Sequence, residues 1–186
     1  MSIVARFYKD KNFLGNNFDV HTNRLEYPDL RSYSVENTFS SIKPWMLFYT
    51  VTVYDGYNFT GNSYTFRYPT EVANLSDYGL NDDIKSLKAT YIGNLMGAVT
   101  LYRDSNAKGK SQYFTPGSYS NLKNQPIGGD TVSSIHLYPK TTIEIFRYSD
   151  YRNRIEVFTN NTIADVQLIK VANNDKASSI IVTAIL

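Results

Sequence analysis

Asn174-Asp175-Lys176-Ala177-Ser178-Ser179, near the C-terminus, is the stretch whose repetition decides the fold. Three related stretches precede it: Gly129-Asp130-Thr131-Val132-Ser133-Ser134, Asn81-Asp82-Asp83-Ile84-Lys85-Ser86 and Glu36-Asn37-Thr38-Phe39-Ser40-Ser41. Their last serines stand at 41, 86, 134 and 179, in steps of about 45, 48 and 45 residues. A steady period of this length marks a repeated supersecondary unit. Each copy also gathers oxygen donors, the hard ligands that suit calcium.

A second pattern runs in phase with the first. An aromatic residue is followed seven positions later by glycine at Tyr8–Gly15, Tyr54–Gly61 and Tyr102–Gly109, and by asparagine at Phe146–Asn153. Glycine, and after it asparagine, best tolerates positive φ, so each spacing predicts a hairpin turn. Two positions before the turn residue stand Phe13, Phe59 and Tyr151, rings placed to fold back over the hairpin; the third copy has Ala107 instead.

Val51-Thr52-Val53-Tyr54, Tyr64-Thr65-Phe66-Arg67-Tyr68 and Ile143-Glu144-Ile145-Phe146 alternate apolar and polar as half-buried strands do. A β-rich run follows every Ser-Ser or Lys-Ser: Ile42-Lys43, Leu87-Lys88-Ala89, Ile135-His136-Leu137-Tyr138 and Ile180-Ile181-Val182. No stretch keeps a helical period, and short helical turns are expected only over 28–31 and around 72–75. Each repeat has room for the four strands of a Greek key. One such key exposes an apolar face, so two should pack face to face. The spacing therefore predicts an all-β chain with one domain over residues 1–92 and another over 96–186. The glycine-bracketed segment from Tyr91 to Gly97 would link them. Leu30-x-x-Tyr33 matches Leu75-x-x-Tyr78; these tyrosines either brace their loops through the hydroxyl, as in a tyrosine corner, or are simply half-buried rings.

Aromatic-x6-Gly followed by (Asn/Asp)-(Asn/Asp)-x-x-(Ser/Thr)-Ser resembles the two marks of the βγ-crystallin superfamily, and the resemblance covers essentially the whole chain. It is nearer to the calcium-binding microbial and non-lens members than to lens proteins, because the acidic-serine loop is kept. The resemblance implies two βγ-crystallin domains, each a sandwich of two four-stranded Greek-key motifs, with up to two calcium ions in each domain. It implies ligands from the loop: Asn37, the Thr38 carbonyl and Ser40 in copy one; Asp82 and the Asp83 carbonyl in copy two; Asp130, the Thr131 carbonyl and Ser133 in copy three; Asp175, the Lys176 carbonyl and Ser178 in copy four. It further implies that each ion sits in a reciprocal clamp between the two keys of a domain, where a carbonyl from the opposing first hairpin (Lys9, Asp55, Arg103 or Arg147, each following its hairpin aromatic) and waters would complete the shell. The final serines are expected to hydrogen-bond the loop rather than touch metal.

Three positions depart from the pattern. Lys85 stands where copy two needs a hydroxyl, and an ammonium only donates and repels a divalent cation. Glu36 and Gly129 replace the first Asn/Asp of copies one and three. Two working sites are expected in the C-terminal half and one, or a weak one, in the N-terminal half. The same loops also fold through Asx and hydroxyl turns with no metal at all.

Composition narrows the classes further. The 186 residues include no cysteine, which excludes disulfides, thiol nucleophiles and Cys-based metal sites. A net charge of +2 from scattered Lys and Arg predicts no nucleic-acid partner. No apolar run approaches the roughly 20 residues of a membrane-spanning helix. The opening Met-Ser-Ile-Val-Ala-Arg-Phe-Tyr reads as a strand rather than a secretory leader. The two histidines, His21 and His136, have no nucleophile elbow to serve, and His136, flanked by Ile135 and Leu137, is expected to face solvent. The expectation is a non-enzymatic calcium-binding structural protein, a monomer or weak homodimer, serving stress or dormancy or calcium buffering. The alternative is a calcium-assisted recognition or adhesion module, lectin-like or inhibitory, for which the 15% aromatic content would supply stacking surface.

Overall fold

The computed structural model describes residues 1–92, 97–163 and 165–185. The chain divides into two compact units, Met1–Asn94 and Leu95–Leu186. Most of the segment expected to link them, residues 93–96, lies outside the described residues.

The first unit contains β1 (Ile3–Asp10), β2 (Leu14–His21), β3 (Glu26–Tyr27), β4 (Ser41–Pro44), β5 (Tyr49–Tyr54), β6 (Ser63–Arg67) and β7 (Ser86–Tyr91). The second contains β8 (Val99–Asp104), β9 (Lys108–Phe114), β10 (Gly117–Tyr119), β11 (Ser134–Leu137), β12 (Thr141–Tyr148), β13 (Arg152–Asn160), β14 (Gln167–Lys170) and β15 (Ser179–Ala184). All strand pairings among the described residues are antiparallel.

Each key lends its third strand to its neighbour. In the second unit the orders are β14-β11-β8-β9 and β10-β15-β12-β13, so β10 leaves the third key and β14 leaves the fourth. In the first unit β3 crosses to give β3-β7-β5-β6. The return strand shrinks to a single bridge, where Ile42 and Val72 exchange backbone hydrogen bonds at 3.0 Å beside the three-stranded β2-β1-β4 sheet.

The apolar faces of each sheet pair close on their own core. Phe7, Ile42, Val53 and Leu87 are fully buried in the first unit, and Leu101, Ile135, Ile145 and Ile180 in the second. Burial of each such side chain stabilises by about 1.5–3 kcal/mol. Short 3-10 turns at Leu30–Tyr33, Leu75–Tyr78 and Leu122–Asn124 start from the side chains of Asp29, Asn74 and Asn121, which accept from the backbone N–H two residues on. Each drives a leucine, Leu30, Leu75 or Leu122, into the core. Tyr33 packs edge-on against Phe18 and Tyr27, and Tyr78 against Tyr64 and Phe66, so both tyrosines contribute rings to the interior. Among the described residues, no helix is long and apolar enough to cross a membrane.

Candidate calcium clamps

The first hairpin of each key turns through three left-handed residues. These are Asn12, Phe13 and Gly15; Asn58, Phe59 and Gly61; Asn106, Ala107 and Gly109; and Asp150, Tyr151 and Asn153. The sequence pattern marked only the last of each trio. A signal for the first was present: Asn, Asn, Asn and Asp recur four places after the aromatic, and short polar residues enter this region most readily after glycine.

The aromatic then lies edge-on against the ring at the second position. Tyr8–Phe13, Tyr54–Phe59 and Phe146–Tyr151 all have centroids 5.8 Å apart. Ala107 gives Tyr102 no such ring, and His136 supplies one at 5.0 Å and 84°. The Tyr102 hydroxyl lies 2.7 Å from His136 Nδ1. His136 is therefore only 7% exposed, which corrects the solvent-facing expectation. Ile135 and Leu137 do enter the core, but the opposite side of β11 is also buried. Burial disfavours the imidazolium and pushes the His136 pKa down to about 4.

The last serine of every loop closes its own hairpin. Ser41 Oγ donates to the Asp10 carbonyl at 2.7 Å and accepts from the Phe13 N–H at 3.1 Å. Ser86 joins Gly56 and Phe59 in the same way, Ser134 joins Asp104 and Ala107, and Ser179 joins Tyr148 and Tyr151. These hydroxyls hold the turn that aims the neighbouring carbonyls.

The fifth loop residue is pinned on both sides of its backbone. Ser40, Lys85, Ser133 and Ser178 donate their N–H to the carbonyls of Tyr8, Tyr54, Tyr102 and Phe146. Their own carbonyls accept from Leu75, Leu30, Val171 and Leu122 of the partner key. The second loop residue is left-handed in every copy, with φ of 51° at Asn37, 52° at Asp82, 54° at Asp130 and 57° at Asp175. From there its N–H crosses to the partner loop: Asn37 to Ile84, Asp82 to Phe39, Asp130 to Ala177 and Asp175 to Val132. The two loops of a unit are thus joined reciprocally.

In the second unit one side-chain contact follows that cross-over. Ser178 Oγ, from the fourth loop, donates to Asp130 Oδ1, from the third, at 2.8 Å. Asp130, Arg147, Asp175, Lys176 and Ser178 line one open cleft together with Lys123 and Arg152. In the third key, Ser133 Oγ donates to the Arg103 carbonyl, so hydroxyl and hairpin oxygen converge there too. Thr38 and Thr131 turn their hydroxyls back onto their own loops, to Val35 at 2.8 Å and to Ile127 at 3.1 Å. The first loop's Asn37 and Ser40 and the first hairpin's Lys9 occupy the equivalent positions in the first key. Among the described residues no three His, Cys, Asp or Glu side chains cluster. Any ion here would rely on neutral oxygens with little carboxylate help, a donor set that fits calcium better than softer metals.

The three departures each have a structural account. Glu36 accepts from the Tyr57 hydroxyl, and Arg31 lies 4.0 Å over that ring while pairing with Asp29 at 2.7 Å. A Cβ at Gly129 would come within 2.6 Å of Lys123 Cγ, so the lysine stem fills the place of the usual side chain. Lys85 Nζ donates to the Asp55 carbonyl and to Asp83 Oδ1, each at 2.9 Å. The Asp83 hydrogen bond raises the lysine pKa.

No family model and no curated protein matches the chain. Solved structures do. The solution structure of protein S complexed with calcium aligns over 98% of this chain and 100% of its own, with a TM-score of 0.56 and 18% identity. A double mutant of a βγ-crystallin domain from Clostridium beijerinckii is 28% identical over 46% of this chain and 94% of its own, TM-score 0.39. A domain described for the evolution of the eye-lens βγ-crystallin fold is 26% identical over 48% of this chain and 86% of its own, TM-score 0.44. With paired keys exchanging strands in both units and one likeness running the whole length, the chain is βγ-crystallin-like in fold, twice over.

Proposed function

We propose that the chain is a non-enzymatic, calcium-stabilised structural protein. The observation that carries this reading is the 2.8 Å contact of Ser178 Oγ with Asp130 Oδ1, in a cleft that also holds Arg147 and Lys176. Repeating that cross-loop pairing assigns three calcium places and one more that Lys85 occupies. The fourth takes Asp130 with Ser178 and the Arg147 and Lys176 carbonyls. The third takes Asp175 with Ser133 and the Arg103 and Thr131 carbonyls. The first takes Asp82 with Ser40 and the Lys9 and Thr38 carbonyls. The second retains Asn37 and the Asp55 and Asp83 carbonyls around Lys85. Protein S, complexed with calcium, supports the choice of ion.

One carboxylate per ion gives weak sites, of roughly micromolar to sub-millimolar affinity. A ligand that binds only the folded state stabilises it by about 2.7 kcal/mol at a hundredfold excess over its dissociation constant. Such a protein gains stability where calcium is plentiful, which suits a coat or stress role or a calcium store. Calorimetric titration of the full chain, with thermal unfolding in calcium and in chelator, tests the reading. Heat of binding and a raised midpoint are expected; a flat titration with no shift would overturn it.

A further inference from the structure

We infer that the Lys85 ammonium is a built-in counter-ion that permanently fills the second clamp, making that clamp independent of metal. The backbone around Lys85 matches that of the other three fifth residues: its N–H bonds the Tyr54 carbonyl and its carbonyl takes the Leu30 N–H. The loop has therefore not been rebuilt around the substitution; only the side chain differs. That side chain reaches the Asp55 carbonyl at 2.9 Å. The equivalent hairpin oxygen in the third key, the Arg103 carbonyl, is met by the Ser133 hydroxyl. Lysine thus spans from the loop to the same hairpin oxygen with a full positive charge.

The charge is answered on the loop side. Asp83 Oδ1 lies 2.9 Å from Nζ, and the pair is part-exposed, with 27% of the lysine side chain and 48% of the aspartate accessible. Hairpin and loop are consequently bridged by one cation through two oxygens, as a metal ion would bridge them. An ammonium supplies three donors and no lone pair, so it joins oxygens but cannot extend a metal's shell. Like-charge repulsion then excludes calcium from the same place.

Two variants of the full chain test this. Lys85→Met keeps the apolar stem and removes the charge and donors. In chelator it is expected to unfold a few degrees lower than the parent, with faster amide exchange over residues 55–59 and 82–86, and added calcium should not reverse the local change. An unchanged midpoint with unchanged exchange would overturn the inference. Lys85→Ser restores a hydroxyl on an unchanged backbone. It should lose the same stability in chelator, regain it in calcium, and bind one more ion than the parent. This second arm rests on the calcium reading. If the parent binds calcium and Lys85→Ser gains no ion, the lysine does not stand in for a metal and the inference falls. If neither protein binds calcium but both variants lose stability in chelator, the ammonium bridge is upheld and the proposed function falls instead.

Discussion

Ser178 Oγ and Asp130 Oδ1 meet at 2.8 Å although 48 positions separate them in sequence. The hydroxyl belongs to one key and the carboxylate to the other, so the contact exists only when both keys are folded together. Asp130→Asn and Ser178→Ala should each weaken calcium binding at this cleft by tenfold or more. Their effects should combine less than additively, because each removes part of one shell. Titration calorimetry on the two single variants and the double variant checks this.

The same cleft carries an opposing charge pattern. Lys123, Arg147, Arg152 and Lys176 surround Asp130 and Asp175, and none of those four cations has an ion pair among the described residues. They repel a divalent ion without supplying oxygen from their side chains. Lys176→Gln leaves its backbone carbonyl in place and should tighten calcium by roughly two- to fivefold at low salt. The gain should shrink as salt screens the charges.

His136 gives the protein an acid sensitivity. In the unfolded chain an imidazole takes a proton near pH 6.5; in the folded chain it does so only near about 4. Between those values the unfolded chain binds more protons, so stability falls as pH drops through the window. The loss approaches about 3 kcal/mol. Denaturant midpoints at pH 7 and pH 4.5 should differ more in the parent than in His136→Gln, which cannot titrate.

The serine clips should be costly to cut. Ser86→Ala would leave the Gly56 carbonyl and the Phe59 N–H without the hydroxyl that joins them. A stability loss of about 1–3 kcal/mol is expected. Ser41→Ala should behave alike, since Asp10 and Phe13 depend on it in the same way. Urea unfolding with an unchanged slope would assign the loss to the native state.

The hairpins and loops were legible because backbone geometry forces particular residues on them. A left-handed turn selects glycine or asparagine at Gly15, Gly61, Gly109 and Asn153, and a clip needs a hydroxyl at Ser41, Ser86, Ser134 and Ser179. The exchanged strands were not legible. β3 and β10 span only Glu26–Tyr27 and Gly117–Tyr119, too short to show alternation, and pairing partners leave no local trace. His136 was misread for a related reason. Alternation correctly sent Ile135 and Leu137 inward, but it carries no information about whether the other face is covered. Only the gap at Ala107 hinted that Tyr102 would seek another ring. The resemblance implied a clamp shared by two keys but grouped each carboxylate with the serine of its own loop; that Asp130 meets Ser178 of the other repeat leaves no local trace in the sequence.

The exchange of β10 and β14 also sets the smallest piece that can stand alone. Separating the third key from the fourth would strip β15 of one neighbour and β11 of another, leaving rows of N–H and C=O groups with no partner. Such open edges pair with whatever strand they meet, most readily the missing half supplied by another molecule. A gene fragment encoding one key is therefore a reagent for dimers and aggregates, and a dissection by expression should cut between units and never within one.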